Sequence, residues 1–129
     1  MRLINWFEKN NEVTWIIVIG IVVIIFVLSS FSFSNSPSSP GTGLWSIIYH
    51  LLAFFFLNAF LLIAFVRGKI YELILVAVLV SITYGVLDEV HQLFVPGRVS
   101  GVFDVMINNA GIFFSTIFYM EYLRGRRGQ

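Results

Sequence analysis

Residues 14–31 read TWIIVIGIVVIIFVLSSF, a run with no charged side chain that is rich in Ile, Val and Phe. In water such a β-branched run would favour a strand, but strands are usually about 5–6 residues long. The length suits a helix crossing lipid, where a hydrocarbon core of about 30 Å takes about 20 apolar residues. Only helices and closed barrels satisfy the backbone there. Barrel strands alternate polar with apolar positions, and this stretch does not.

The same reading extends outward to residues 44–66, 70–94 and 102–123, which gives four spans in all. The composition agrees, with 58% hydrophobic and 12% charged residues and a mean hydropathy of +0.89. Soluble domains carry about 25% charged residues. Cysteine is absent, which excludes disulfides, thiolate metal ligands and a cysteine nucleophile. The 129 residues suffice for one domain.

Short connections set the topology. Ser32 to Gly43 reads SFSNSPSSPGTG, Arg67-Gly68-Lys69 is a tight turn, and Val95 to Gly101 reads VPGRVSG. Such links make neighbouring helices antiparallel, so the expected fold class is an all-α, integral membrane four-helix up-down bundle. An even number of spans puts both termini on one side. That side holds Arg2, Lys9, Arg67, Lys69, Arg124, Arg126 and Arg127, against Arg98 alone on the other. The positive-inside rule therefore places both termini in the cytoplasm, and the chain is expected in the cell membrane. A cleaved signal peptide is disfavoured, because Arg2 and Lys9 are offset by Glu8 and Glu12 and the apolar run is long.

The polar residues inside the spans are one-sided. His50 lies in the second span. Asp88, Glu89, His91 and Gln92 lie near the outer end of the third, Asp104 and Asn108 open the fourth, and Arg98 sits between those two. An ionisable group within a span costs about 2.5–3.5 kcal/mol on insertion scales, so each is a candidate functional residue. Helical spacing places Asp88 on a face with Tyr84, His91 and Gln92, while Glu89 projects about 100° away. Asp104 and Asn108 share a line with Gly111 and Ser115, small residues suited to close helix packing.

Blander roles compete with function at each position. His50 alone would more often be a packing histidine. The run from Asp88 to Gln92 could cap a helix and bridge to Arg98, and Asp104 complements a helix dipole. Two acids, a His and a Gln within five residues exceed what one such bridge requires, so an outward-facing polar pocket is expected. Asp88, His91, Asp104 and His50 offer oxygen and imidazole ligands, but the single Asp-x-x-His is a weak metal signal, and no metal or cofactor is assigned. Metal-protease, nucleophile-elbow, phosphate-loop and dinucleotide motifs are absent. Nucleic acid is not an expected partner. The sparse basic residues read as topology anchors against membrane lipids.

The run DEVHQLFVPGR (residues 88–98), followed by DVMINNAG (residues 104–111), resembles the signature of the VanZ-like family. Tyr49-His50 before a Phe-rich helix, and Ser29-Ser30 closing the first span, are similar to further family features. Ser115 stands where a second Gly often occurs, which implies slightly relaxed packing there. The family takes its name from a protein associated with resistance to teicoplanin, a lipid-tailed glycopeptide. The resemblance implies a role for His50, Asp88, Glu89, His91, Gln92, Arg98, Asp104, Asn108 and Gly111 in engaging a lipid-linked envelope precursor or a lipidated antibiotic. An intramembrane hydrolase or transferase acting on a lipid headgroup, and a structural scaffold, stand as alternatives. Proton relay or transport ranks below these, because the inner halves of the spans are nearly free of charge. The sequence assigns no oligomeric state.

Overall fold

The computed structural model of the chain describes residues 2–31, 43–68, 71–98 and 101–127. Among them all regular structure is helical: α1 (Arg2–Lys9), α2 (Asn11–Ser29), α3 (Leu44–Val66), α4 (Leu73–Gln92) and α5 (Val102–Arg127). The last four are long and apolar enough to cross a membrane. Relative to the expected spans, α2 starts three residues earlier than residue 14, α4 is trimmed to Leu73–Gln92, and α5 runs on past residue 123. The loop expected over Ser32–Gly43 lies outside the described residues except at Gly43.

The first helix was not expected from the sequence. Ile4 and Phe7 pack against the core while Leu3 and Trp6 stay exposed, so α1 is amphipathic. Asn10 ends it with a non-helical backbone, its side-chain amide donating back to the Trp6 carbonyl at 2.8 Å. Thr14 on α2 donates to the Phe7 carbonyl at 2.8 Å and ties the two helices together.

The packing order follows from which helices touch. Helices α3 and α4 contact each other, and each also contacts both α2 and α5. Among the described residues the backbones of α2 and α5 do not approach each other closely, so α3 and α4 form a central pair flanked by α2 and α5. The closest association is α3 with α5, and Gly111 explains it. A Cβ there would collide with the Leu51 carbonyl oxygen and stand 3.0 Å from the Phe55 amide nitrogen. Gly85 on α4 plays a milder version of this role against the ring of Phe54.

The exterior is apolar. Ile16, Ile19, Leu75, Leu79, Phe113 and Phe118 are among the exposed large side chains, whereas Asn58, Ser81, Ser115 and Thr14 have no exposed surface at all. This inverts the arrangement of a water-soluble domain and matches a lipid surround. At mid-height Asn58 donates to Ser115 (2.7 Å) and Thr116 (2.9 Å) and accepts from Ser81 (2.9 Å). Three helices are thereby joined through one amide. Ser115 is fully buried and donates to the Ile112 carbonyl, so at this position the hydroxyl adds a bond to the packing.

At the end that holds both termini, Arg126 pairs with Glu8 at 2.6 Å, and Tyr119 donates to the same carboxylate at 3.1 Å. In this cluster between α1 and α5, Glu8 is buried and Arg126 part-exposed, and both lie beyond the expected spans. It escaped notice because Glu8 lies outside every apolar run.

Candidate functional site

At the end that holds the termini, Arg67 (φ 49°) and Gly68 (φ 64°) adopt left-handed conformations that stop α3, and the Gly68 amide donates to the Tyr119 hydroxyl at 3.3 Å. The opposite end is shaped by the segment that follows α4. After α4, Pro96 and Gly97 occupy the middle of a β-turn closed by the Arg98 amide donating to the Val95 carbonyl at 3.2 Å. Proline followed by a residue with positive φ (Gly97, 79°) is the pattern of a type II turn. That turn folds Arg98 back over the end of α4.

Six residues marked by the sequence meet here, all at most 7% exposed: His50, Asp88, Glu89, Gln92, Asp104 and Asn108. His50 Nδ1 stands 3.0 Å from Asn108 Oδ1 and 3.7 Å from Glu89 Oε1. Asn108 Nδ2 approaches Glu89 Oε1 at 3.4 Å. Asp88 accepts from Ser29 Oγ at one oxygen and from Gln92 Nε2 (2.7 Å) at the other. Asp104, in the first turn of α5, lies within electrostatic reach of His50 and Arg98. One ligand-type atom from each of His50, Asp88 and Glu89 lies within 4.8 Å of the other two.

The central position of α4 explains why adjacent acids are both buried. Asp88 faces α2 through Ser29, and Glu89 faces α3 and α5 through His50 and Asn108. A rotation of about 100° between neighbours, which in an outer helix would send one to lipid, here directs each toward a different partner.

Two marked residues behave differently from the rest. His91 turns to α2, with Nε2 3.1 Å from Ser30 Oγ and its ring 4.7 Å from that of Phe26. Sharing a helical face with Asp88 did not carry it into the cluster, because the end of α2 lies beside it. Arg98 forms no carboxylate bridge among the described residues. Its Nε donates to Gln92 Oε1 (2.9 Å), and one Nη donates to the Leu28 (3.1 Å) and Phe31 (2.9 Å) carbonyls. The Leu28 carbonyl, in the last turn of α2, also accepts from the Phe31 amide at 3.3 Å, so Arg98 adds a donor at the end of the helix and just beyond it.

Tyr84, which spacing placed on the Asp88 face, donates its hydroxyl to the Val22 carbonyl at 2.8 Å, and the sequence reading passed over Asn58. For Asn58 a signal existed: it is a lone amide in the run LLAFFFLNAFLLIA.

An all-helical chain with four bilayer-length apolar helices, lipid-type exterior and buried polar contacts is a multi-pass membrane protein. The model of the VanZ/LLP1 family matches residues 13–124, and the chain belongs to that family. No curated protein and no solved structure matches it.

Proposed function

We propose that the chain is one up-and-down bundle in the cell membrane with cytoplasmic termini, and that its outer end engages a lipid-linked or lipidated molecule. The order of contacts supports the alternation of spans. Early α3 meets late α4 (His50 with Glu89), but early α5 (His50 with Asn108). The observation that carries the functional reading is the concentration of buried ionisable groups from α3, α4 and α5 at the end remote from the basic residues. A scaffold can be held by neutral bonds of the Asn58 type, whereas several acids and an imidazole within spans are costly, and that cost favours a functional role for them. Arg98 stands at the rim, where a guanidinium suits phosphate or carboxylate on an amphiphile.

The test is protection against a lipid-tailed glycopeptide in cells expressing Arg98→Ala or Asp104→Asn, with membrane insertion measured separately. Loss of protection in an inserted variant is expected. Full protection from inserted Arg98→Ala would count decisively against this reading. The convergence of His50, Asp88 and Glu89 favours a second reading, hydrolysis or transfer at a lipid headgroup, which turnover of a phospholipid or polyprenyl phosphate by the purified protein would reveal.

A further inference from the structure

We propose that His50, Asp88 and Glu89 form a binding site for one divalent first-row cation of the Zn²⁺ or Mn²⁺ type. The proposal deepens the reading of the outer cluster as a working site.

Geometry comes first. Each of the three residues offers a ligand atom within 4.8 Å of the others, and all three are nine-tenths or more buried. Ligands at about 2.1 Å from a tetrahedral ion stand about 3.4 Å apart, so atoms now up to 4.8 Å from one another complete the site if each pair closes by up to about 1.4 Å, within the reach of side-chain rotation. One imidazole and two carboxylates make a mixed N/O donor set, which suits Zn²⁺ or Mn²⁺ better than a soft ion.

The surroundings resemble a support for ligands. Ser29 and Gln92 each hold one oxygen of Asp88, and Asn108 reaches both His50 and Glu89. Such outer contacts fix the orientation of metal ligands.

Charge supplies an independent reason. The cluster contains three carboxyl groups, from Asp88, Glu89 and Asp104, while the sequence places only Arg98 among basic residues at this end. Arg98 directs its donors to an amide oxygen and two main-chain carbonyls. With His50 neutral, a dication brings this set to zero formal charge. In a low-dielectric bundle that balance matters, because uncompensated buried charge is strongly destabilising. A bound cation here would also present a Lewis-acidic centre to a phosphate held at the rim by Arg98.

The test uses the full chain in detergent or nanodiscs, purified through a tag without histidine, stripped by chelator and titrated with Zn²⁺ or Mn²⁺. About one equivalent is expected, with Ca²⁺ and Mg²⁺ competing poorly. Substituting His50→Ala or Glu89→Gln is expected to weaken binding roughly 10- to 100-fold or more. The chain has two histidines and no cysteine, so pulsed EPR of bound Mn²⁺ is diagnostic. Nitrogen modulation should persist in His91→Ala and vanish in His50→Ala. If the His50 variant does not fold, the wild-type and His91→Ala spectra still decide. Substoichiometric metal, no nitrogen modulation in the wild type, or modulation lost with His91 would overturn the proposal, leaving protons to balance the cluster. Retained metal in a protein that gives no glycopeptide protection would uphold the site and refute only the ligand reading.

Discussion

Gly111 on α5 lies against the main-chain carbonyl of Leu51 on α3, with no room between them for a methyl group. Main chain cannot step aside as a side chain can. Gly111→Ala is therefore expected to lower stability by about 1–3 kcal/mol, the range for overpacked cores, and Gly111→Leu to abolish folded yield. Thermal unfolding in detergent and the monodisperse fraction on size exclusion measure both. Gly85→Ala meets the edge of Phe54 at 3.2 Å and Asn108 Cβ at 3.6 Å, side chains that can give way, and should cost less.

Asn58 joins α3, α4 and α5 at mid-height through Ser81, Ser115 and Thr116. Interhelical hydrogen bonds in bilayers average about 0.6 kcal/mol and reach about 1.7. Asn58→Leu should fall within that range by unfolding, while Asn58→Asp should lose more, because it adds charge at the same place. Equal loss from both would mean that packing, not the amide network, holds this level.

The Glu8–Arg126 pair is asymmetric, with side-chain exposure of 6% for Glu8 and 40% for Arg126. Removing the arginine strands a buried carboxylate, whereas removing the acid frees a guanidinium that can reach solvent. Arg126→Ala is thus expected to destabilise by about 1–3 kcal/mol. The cost of Glu8→Gln should be smaller, since its amide still accepts from Tyr119. A larger loss from Glu8→Gln would reverse this ordering.

Arg98→Lys keeps the charge but cannot hold Gln92 and the Leu28 and Phe31 carbonyls in one planar fork. The expected cost is about 1 kcal/mol. Hydrogen exchange near the end of α2 should quicken several-fold, with α3 and α5 unchanged. Uniform quickening throughout the bundle would point to global loosening instead.

The topology is open to cysteine labelling, because the chain has no native cysteine. A membrane-impermeant maleimide should label Ser38→Cys on intact cells and Gln129→Cys only after permeabilisation. The opposite pattern would invert the bundle.

Long apolar runs made the four spans legible, since the bilayer sets a length that few other structures need. The eight residues of α1 carry charges of both signs and fall below that length, so only packing reveals them. At the end that holds Arg98, residue type was enough to mark His50, Asp88, Glu89, Asp104 and Asn108. Their partners were harder to see, because a helical wheel shows directions and not neighbours. Asp88 and His91 share a face, yet the first meets Ser29 and the second Ser30 and Phe26. Ser29 itself was visible only through the family resemblance. Its bond to Asp88 crosses 59 residues, a separation that no local pattern reports.

The polar cluster around Asp88 and His50 draws side chains from α2, α3, α4 and α5 at once. It follows that no half of this protein contains it. A chain divided between Gly68 and Tyr71 would leave Ser29 and His50 on one fragment and Asp88, Glu89 and Asn108 on the other. Recombining homologous halves would therefore test compatibility at this one meeting point, whatever each half does for the membrane around it.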